Sequence, residues 1–318
     1  MAKRVVTGVP ISRRMSQRFV AGETVETAVD ATRRTNAEGL RVTLNYLGEF
    51  VADRQVIVAA RETYVHLLEQ LGAEGLDAGI SVKLTQLGQG FDEGLVRENL
   101  DALLDAAQSA GIFVRFDMES SDLVQPTLDL FEDLWGQGRR NIGVVLQSYL
   151  KRTSEDVERM VELGAPVRLC KGAYSEPADV AHQEMDEIRA AFRAQMARLL
   201  TAGNPTAIAT HDPELQDATR ALVAQEGLSP DAVEFQQLHG VRRDLQQELR
   251  GEGFPVRVYI PFGEMWYPYL MRRLAERPEN LWFMVGSVIR DSPVGKLLPG
   301  RRRPSEKGER DGAAGGAS

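Results

Sequence analysis

Eight short apolar runs, rich in β-branched residues, constrain the fold of this 318-residue chain more than any other feature. They cover residues 42–47, 79–84, 113–118, 141–147, 166–172, 206–212, 233–240 and 256–263. Each run has the length and composition of a buried strand. Amphipathic helical patterns separate them, for example at 91–110 and 184–202. Strands that alternate with helices in this way predict a parallel sheet.

The number of runs predicts an α/β fold, namely a (β/α)8 TIM-like barrel with an N-terminal helical arm. A doubly wound open sheet is the alternative, but it usually has fewer strands and carries a glycine fingerprint after the first one. No GxGxxG pattern occurs in the chain. We therefore expect an arm with a helix near 25–37 in residues 1–37, a barrel in residues 38–292 and a disordered tail in residues 293–318.

Composition and charge exclude several classes of protein. A formal net charge of -8 argues against a nucleic-acid partner. The single cysteine cannot form an internal disulfide, which is typical of a reducing compartment. The first 22 residues carry five basic residues and no acidic one, as in a transit peptide, but a solvated arm is favoured because no cleavage site is visible. We expect a cytoplasmic location, with peripheral contact at the inner face of the membrane as the alternative.

Polar side chains follow or end all eight runs, where barrels of this kind carry their active sites. They are Glu49, Lys83, Asp117, Glu119, Gln147, Lys171, Thr210, His211, Asp212, Gln236, His239 and Tyr259. Arg168 lies inside an otherwise apolar run, and buried charge is costly unless it is paired or liganded. These residues together indicate a polar binding pocket.

The segment after the last run adds a YxxRR pattern on a predicted C-terminal helix at 264–277. Tyr269, Arg272 and Arg273 share one face of that helix, and paired guanidinium groups suit the capture of a carboxylate or phosphate. The four histidines do not have metal-ligand spacing, so we expect no metal. The residues alone indicate an enzyme that handles a small carboxylate, and they do not predict an oligomeric state.

Nine motifs, in order, resemble the proline dehydrogenase family, of the monofunctional bacterial type. They are LGEF (47–50), SVKL (81–84), DME (117–119), LQSYL (146–150), RLCKGAY (168–174), ATHD (209–212), EFQQLHG (234–240), VYIPFG (258–263) and YLMRR (269–273). The resemblance implies FAD-dependent oxidation of L-proline to Δ1-pyrroline-5-carboxylate, the first step of proline catabolism, with electrons passed to a membrane quinone.

The resemblance also implies roles for individual residues. Asp117 and Arg168 would be catalytic, with Arg168 beside the flavin N5 and Asp117 as its acidic partner. The substrate would contact Lys83, Leu238, Tyr259, Tyr269, Arg272 and Arg273. FAD would contact Met118, Gln147, Arg168, Lys171, Gly172, Ala173, Thr210 and His211. Glu49 would form a structural ion pair with Arg272.

Two other functions remain open from the residues. Lys83 at a strand end could form a Schiff base, as in an aldolase, which would require a lysine with a lowered pKa. The barrel could also bind a ligand without catalysis. Uptake of a yellow cofactor that bleaches with proline would distinguish the flavoenzyme from both.

Overall fold

Eight parallel strands form a closed barrel in which β8 pairs with β1. The computed structural model describes residues 18–269 and residue 271. The strands are β1 (Arg41–Tyr46), β2 (Ala78–Val82), β3 (Phe113–Phe116), β4 (Ile142–Gln147), β5 (Val167–Cys170), β6 (Thr206–Ala209), β7 (Val233–Leu238) and β8 (Val256–Phe262). The predicted barrel is therefore confirmed.

Among the described residues, one complete α-helix precedes β1, and one α-helix lies in each connection from β1 to β8. They are α1 (Val25–Ala37), α2 (Arg54–Ala73), α3 (Glu93–Ser109), α4 (Val124–Gly136), α5 (Thr153–Leu163), α6 (Met185–Thr201), α7 (Pro213–Gln225) and α8 (Arg243–Gly251). The helices predicted near 25–37, 91–110 and 184–202 are α1, α3 and α6. The predicted helix at 264–277 begins within the described residues, where 266–269 are helical, and the rest of it lies largely outside them.

Helix α1 belongs to the layer of helices around the barrel, because it packs against β1, β8 and α2. Ala28, Val29 and Ala31 face inward and are buried there. The helix begins at a capping box in which Thr24 and Thr27 satisfy each other's backbone N–H groups. Helix α1 thus covers the seam where β8 pairs with β1.

The strands end earlier than the apolar runs predict. β2 ends at Val82, β3 at Phe116, β5 at Cys170 and β6 at Ala209, so the predicted ends at 84, 118, 172 and 212 are wrong by two or three residues. The chain leaves the barrel where it stops pairing with its neighbours, and a polar residue directly follows each of these strand ends. Lys83, Asp117 and Lys171 consequently begin loops rather than lying within strands.

The barrel interior is polar, and small residues make room for its long cations. Arg115 of β3 is buried and donates from Nη1 to the carbonyl oxygens of Val144 (3.1 Å) and Pro166 (2.8 Å). A Cβ atom at Gly143 would lie 2.5 Å from that guanidinium nitrogen. Alternate strand residues face the helices and form an apolar core, because successive side chains of a strand point to opposite faces.

Candidate active site at the carboxyl ends of the strands

Arg168 lies at the centre of a network that crosses the barrel interior. Its guanidinium donates to Asp117 Oδ1 (2.7 Å), to Ser81 Oγ (2.9 Å) and to Gln236 Oε1. These partners belong to β2, β7 and the end of β3, none of which pairs directly with β5. The predicted pairing of Arg168 with Asp117 is therefore present in the geometry, and the side chains are 6% and 12% exposed.

Tyr259 of β8 completes this network. Its hydroxyl donates to Asp117 Oδ2 at 2.9 Å, and the Arg168 guanidinium carbon lies 5.5 Å from its ring centroid. Burial and then the neighbouring Asp117 raise the pKa of Tyr259 well above its usual range. The phenol therefore stays protonated and acts as a hydrogen-bond donor.

Lys83 begins the loop after β2 and lies between an acid and a phenol. Its ammonium is 3.3 Å from Glu49 Oε2 and donates to the Tyr174 hydroxyl at 3.1 Å. Burial opposes its charge, but Tyr174, Asp117, Glu119 and Glu49 outweigh burial and raise the pKa of Lys83 above its usual range. Lys83 therefore remains a cation with solvent largely excluded, which suits a carboxylate ligand.

Glu119 faces away from this network, although it follows the same strand as Asp117. Its two carboxylate oxygens accept from the Thr85 backbone N–H (3.1 Å) and hydroxyl (2.6 Å). Burial raises the pKa of Glu119, with Lys83 opposing the shift. The Thr85 oxygen also accepts from the Phe50 backbone N–H at 2.9 Å. Glu119 thus fixes the loop that carries Glu49.

Gln147 at the end of β4 provides a test of whether the site suits a flavin. Its Nε2 donates to the Glu119 carbonyl oxygen at 2.7 Å, which fixes the amide plane. Its Oε1 is buried and has no hydrogen-bond partner among the described residues. A buried acceptor of this kind is costly unless something donates to it. A flavin ring carries such an N–H donor, so Gln147 fits the group.

A second basic cluster lies at the ends of β5 and β6. Lys171 Nζ and Arg189 Nε lie 3.1 Å and 3.0 Å from the same oxygen of Asp212, which caps helix α7. Burial alone would raise the pKa of Asp212, but Arg189 and Lys171 outweigh burial and lower it. Two cations beside a helix N-terminus favour a phosphate group.

The loop between these cations has little room for side chains. Gly172 has φ +115°, and a Cβ atom there would lie 2.1 Å from the Tyr149 ring. The next residue, Ala173, is exposed, and Thr210 Oγ1 accepts from the Asp212 backbone N–H at 3.1 Å. These residues surround the end of the barrel beside Lys171.

The remaining predicted contacts lie around the same rim. His211 Nε2 accepts from the backbone N–H of Leu238 at 3.1 Å, which joins the ends of β6 and β7. Met118 and Tyr269 are buried. Arg272 and Arg273 lie outside the described residues, and so does the predicted ion pair of Glu49 with Arg272.

Two further residues lie in the site that sequence reasoning did not assign to it, Tyr174 and Ser81, and Gln236, predicted only as one of the polar strand ends, contacts Arg168 directly. Tyr174 is the last residue of the RLCKGAY motif, so the motif itself could have indicated it. Ser81 and Gln236 face inward because their strands alternate in and out, but only closure of the barrel brings them to Arg168.

Across residues 18–269 and 271, no three His, Cys, Asp or Glu side chains come together as metal ligands. In the same part of the chain, no helix has the length and hydropathy needed to cross a bilayer. The site consists of cations with carboxylate partners, a buried phenol and amides. Such groups can orient an anionic substrate and a cofactor.

Comparison with known proteins associates the chain with a named family. The family profile described as proline dehydrogenase matches residues 28–285. The chain is 38% identical over 280 residues to proline dehydrogenase of Deinococcus radiodurans, covering 87% of this chain and 90% of that protein. It is 38% identical over 272 residues to proline dehydrogenase 2 of Bacillus subtilis, covering 86% and 89%.

Solved structures share the fold. Proline utilization A (PutA) from Bdellovibrio bacteriovorus aligns with a TM-score of 0.80 at 23% identity, over 90% of this chain. The chain spans 35% of that much longer protein. At this identity the likeness supports the barrel architecture only.

Proposed function

Because the chain belongs to the proline dehydrogenase family, we propose that it oxidises L-proline to Δ1-pyrroline-5-carboxylate with FAD and passes the electrons to a membrane quinone. It is an oxidoreductase of proline catabolism. The observation that carries the finer proposal is the position of Lys83, a buried cation, beside the Arg168–Asp117–Tyr259 network.

The residues that would hold FAD lie along one side of the barrel mouth. They are Met118, Gln147, Arg168, Lys171, Gly172, Ala173, Thr210 and His211. When bound, FAD supplies the acceptor for the hydride that leaves C5 of proline. Lys171 offers a cation to a phosphate group, and Arg168 contributes a fixed positive charge that favours uptake of electrons by the cofactor.

The substrate carboxylate is bound by Lys83, joined by Arg272 and Arg273 of the YxxRR pattern. Tyr259, Tyr269 and Leu238 enclose the pyrrolidine ring. Glu49 compensates the charge of Lys83 when no substrate is bound, since the two groups lie 3.3 Å apart. In this arrangement the carboxylate fixes the position of the ring before oxidation begins.

Hydride loss also requires a neutral amine. Both oxygens of Asp117 already accept hydrogen bonds, from Arg168 and from Tyr259. Tyr259 keeps its proton because its pKa is raised by burial and by Asp117. Neither residue is available to take the amine proton, so we assign that step to solvent, before the ring is enclosed.

The aldolase alternative is disfavoured by the same lysine. A Schiff-base lysine must lose its proton near neutral pH. Here acidic and phenolic neighbours outweigh burial and raise the pKa of Lys83. Borohydride trapping of a lysine adduct would support the aldolase instead.

The colour of the purified protein tests the proposal directly. The protein should be yellow and should bleach when proline is added without oxygen. A colourless protein that does not take up FAD would contradict the proposal. Comparing a quinone with oxygen as oxidant then tests the acceptor. Faster turnover with the quinone, enhanced by vesicles that contain it, would support electron transfer at the membrane surface.

A further inference from the structure

A cavity of about 490 Å³ lies outside the barrel between α1 and α8. Its walls come from both helices, from the loop after β7 and from β8, and we call it the α1–α8 cavity. Leu40 and Val258 supply an apolar floor. The volume falls in the range of pockets that bind small molecules, roughly 300–1,000 Å³.

The charged residues of the α1–α8 cavity are mostly basic, although the whole chain carries a net charge of -8. Arg18, Arg34 and Arg243 line it, and Glu38 is the acidic residue among its lining. Glu38 accepts a hydrogen bond from Arg243 at 2.7 Å. The Arg34 guanidinium makes no hydrogen bond or ion pair with any residue between 18 and 269. The cavity therefore has a local excess of positive charge.

The His239 ring adds a polar group that has no hydrogen-bond partner among the described residues. Its ring lines the cavity, and neither ring nitrogen is hydrogen-bonded within the described part of the chain. Burial lowers the pKa of His239 to about 4, with Arg243 and Arg34 adding to the shift and Glu38 opposing it. At neutral pH the ring is therefore uncharged and offers one N–H donor and one acceptor.

We propose that the α1–α8 cavity binds a metabolite through a phosphate or carboxylate group placed between Arg34 and Arg243, with a hydrogen bond from His239. An oxyanion satisfies the unpartnered guanidinium and the unpartnered imidazole together. The apolar remainder of the metabolite contacts Leu40 and Val258. Guanidinium groups bind both phosphates and carboxylates. Separate titrations with inorganic phosphate and with acetate distinguish the two kinds of ligand.

This site is separate from the candidate active site, although both use β8. Val258 faces the cavity, and the next residue, Tyr259, faces the barrel interior. The backbone N–H of His239 donates to the Tyr259 carbonyl oxygen at 2.9 Å. One strand thus separates the two binding sites.

Titration of the flavin-loaded full chain with inorganic phosphate, and in parallel with acetate, tests the proposal by calorimetry. We expect saturable binding of at least one probe at a single site, weakened about tenfold or more in Arg34→Ala. Arg33→Ala is the matched control, because Arg33 is the adjacent residue of α1 and pairs instead with Asp30 and Glu74. Lys83→Ala reports binding inside the barrel. Lys83→Ala should remove only acetate bound inside the barrel, and neither control variant should change the component of binding that Arg34→Ala weakens.

A second measurement follows the protonation of the His239 imidazole. A bound anion stabilises the charged form of His239, so the pKa of its ring should rise on binding, and the complex should take up protons near pH 5. Glu38 already favours the charged form of the ring, so the anion adds to the effect of Glu38 on the pKa of His239. NMR titration of the His239 ring with and without phosphate measures the shift.

Several outcomes would overturn the proposal. They are the absence of saturable binding of either probe, equal weakening in Arg33→Ala and Arg34→Ala, and loss of binding in Lys83→Ala with Arg34→Ala unaffected. An unchanged titration of His239 in saturating phosphate would also contradict it.

Discussion

Arg168 and Asp117 lie 2.7 Å apart in the barrel interior, on segments that belong to strands not adjacent to each other. The guanidinium also reaches β2 through Ser81 and β7 through Gln236. The Arg168 side chain thereby links β5 to β2, to β7 and to the end of β3. The network fixes the orientation of Asp117 and, through it, of Tyr259.

The Arg168–Asp117 pair predicts a large effect of Asp117→Asn. The substitution leaves Arg168 buried without its counter-charge, which costs about 3–5 kcal/mol of the free energy of unfolding. We expect lower stability in denaturant titrations and slower reduction of the bound flavin by proline. Tyr259→Phe is the control, since it removes one hydrogen bond but keeps the ion pair and should cost about 1–3 kcal/mol. Equal stability of Asp117→Asn and the wild type would refute the prediction.

Lys83→Met should weaken proline binding while leaving the fold intact. Loss of one partner of a buried charge pair costs about 2–5 kcal/mol, or about 30-fold or more in KM. The effect should appear mainly in KM if the carboxylate contact is equally strong in the ground and transition states. Lys151→Met is the control, because Lys151 is exposed and donates only to the Ala178 carbonyl oxygen. Unchanged steady-state kinetics in Lys83→Met would exclude Lys83 from the substrate site.

The raised pKa of Lys83 predicts how the affinity for proline depends on pH. A lysine whose folded pKa lies above its unfolded value keeps its charge as the pH rises through its ordinary range near 10.5. The lysine contribution to proline binding should therefore persist above pH 10.5 in the folded enzyme. In Glu49→Gln, which removes one of the acids that raise the pKa, the affinity for proline should begin to fall at lower pH. Identical profiles of the variant and the wild type would contradict this assignment.

Tyr259 predicts selectivity against a hydroxylated substrate. Its ring and hydroxyl occupy the wall of the pocket, and Asp117 fixes the hydroxyl at 2.9 Å. We expect the wild type to have a higher kcat/KM for proline than for 4-hydroxyproline. Tyr259→Ser should reduce the ratio of these two kcat/KM values, because the smaller side chain opens space in the substrate pocket. Tyr259→Phe keeps the ring and should retain most of the preference. Equal catalytic efficiency of the wild type for both substrates would count against the prediction.

The depressed pKa of Glu234 predicts that the free energy of unfolding falls in acid. Burial opposes its charge, but Arg257, 2.7 Å away, and Arg41 outweigh burial and lower the pKa of Glu234 to about 2. A depressed carboxyl pKa stabilises the fold above the unfolded value near 4.5, and this stability is lost as the pH falls toward 2. The contribution near pH 7 is about 3 kcal/mol.

Glu234→Gln should remove that contribution. The difference in free energy of unfolding between wild type and variant should be largest near neutral pH and should shrink below pH 4.5. Thermal or urea denaturation over this range measures it. Glu155→Gln, which changes an exposed residue of α5, should show no such trend. A difference that stays constant with pH would contradict the role of Glu234.

The sequence by itself determined the architecture. Strand length, apolar composition and helical spacing are local properties, and eight alternating units leave few arrangements besides a closed parallel barrel. The helix at 25–37 and the polar strand ends were predictable for the same reason. The motifs also indicated the family, and Lys83, Asp117 and Arg168 were recognisable from their position after or within apolar runs.

Only the tertiary structure decided which of these polar groups meet. Asp117 and Glu119 are two residues apart, yet one joins Arg168 and the other joins Thr85. Tyr174 joins Lys83 across 91 residues of sequence. The basic α1–α8 cavity likewise exists because α1 and α8 both pack on β8. Periodicity sets the elements, whereas contacts between distant residues depend on barrel closure and on the room that small residues such as Gly143 leave.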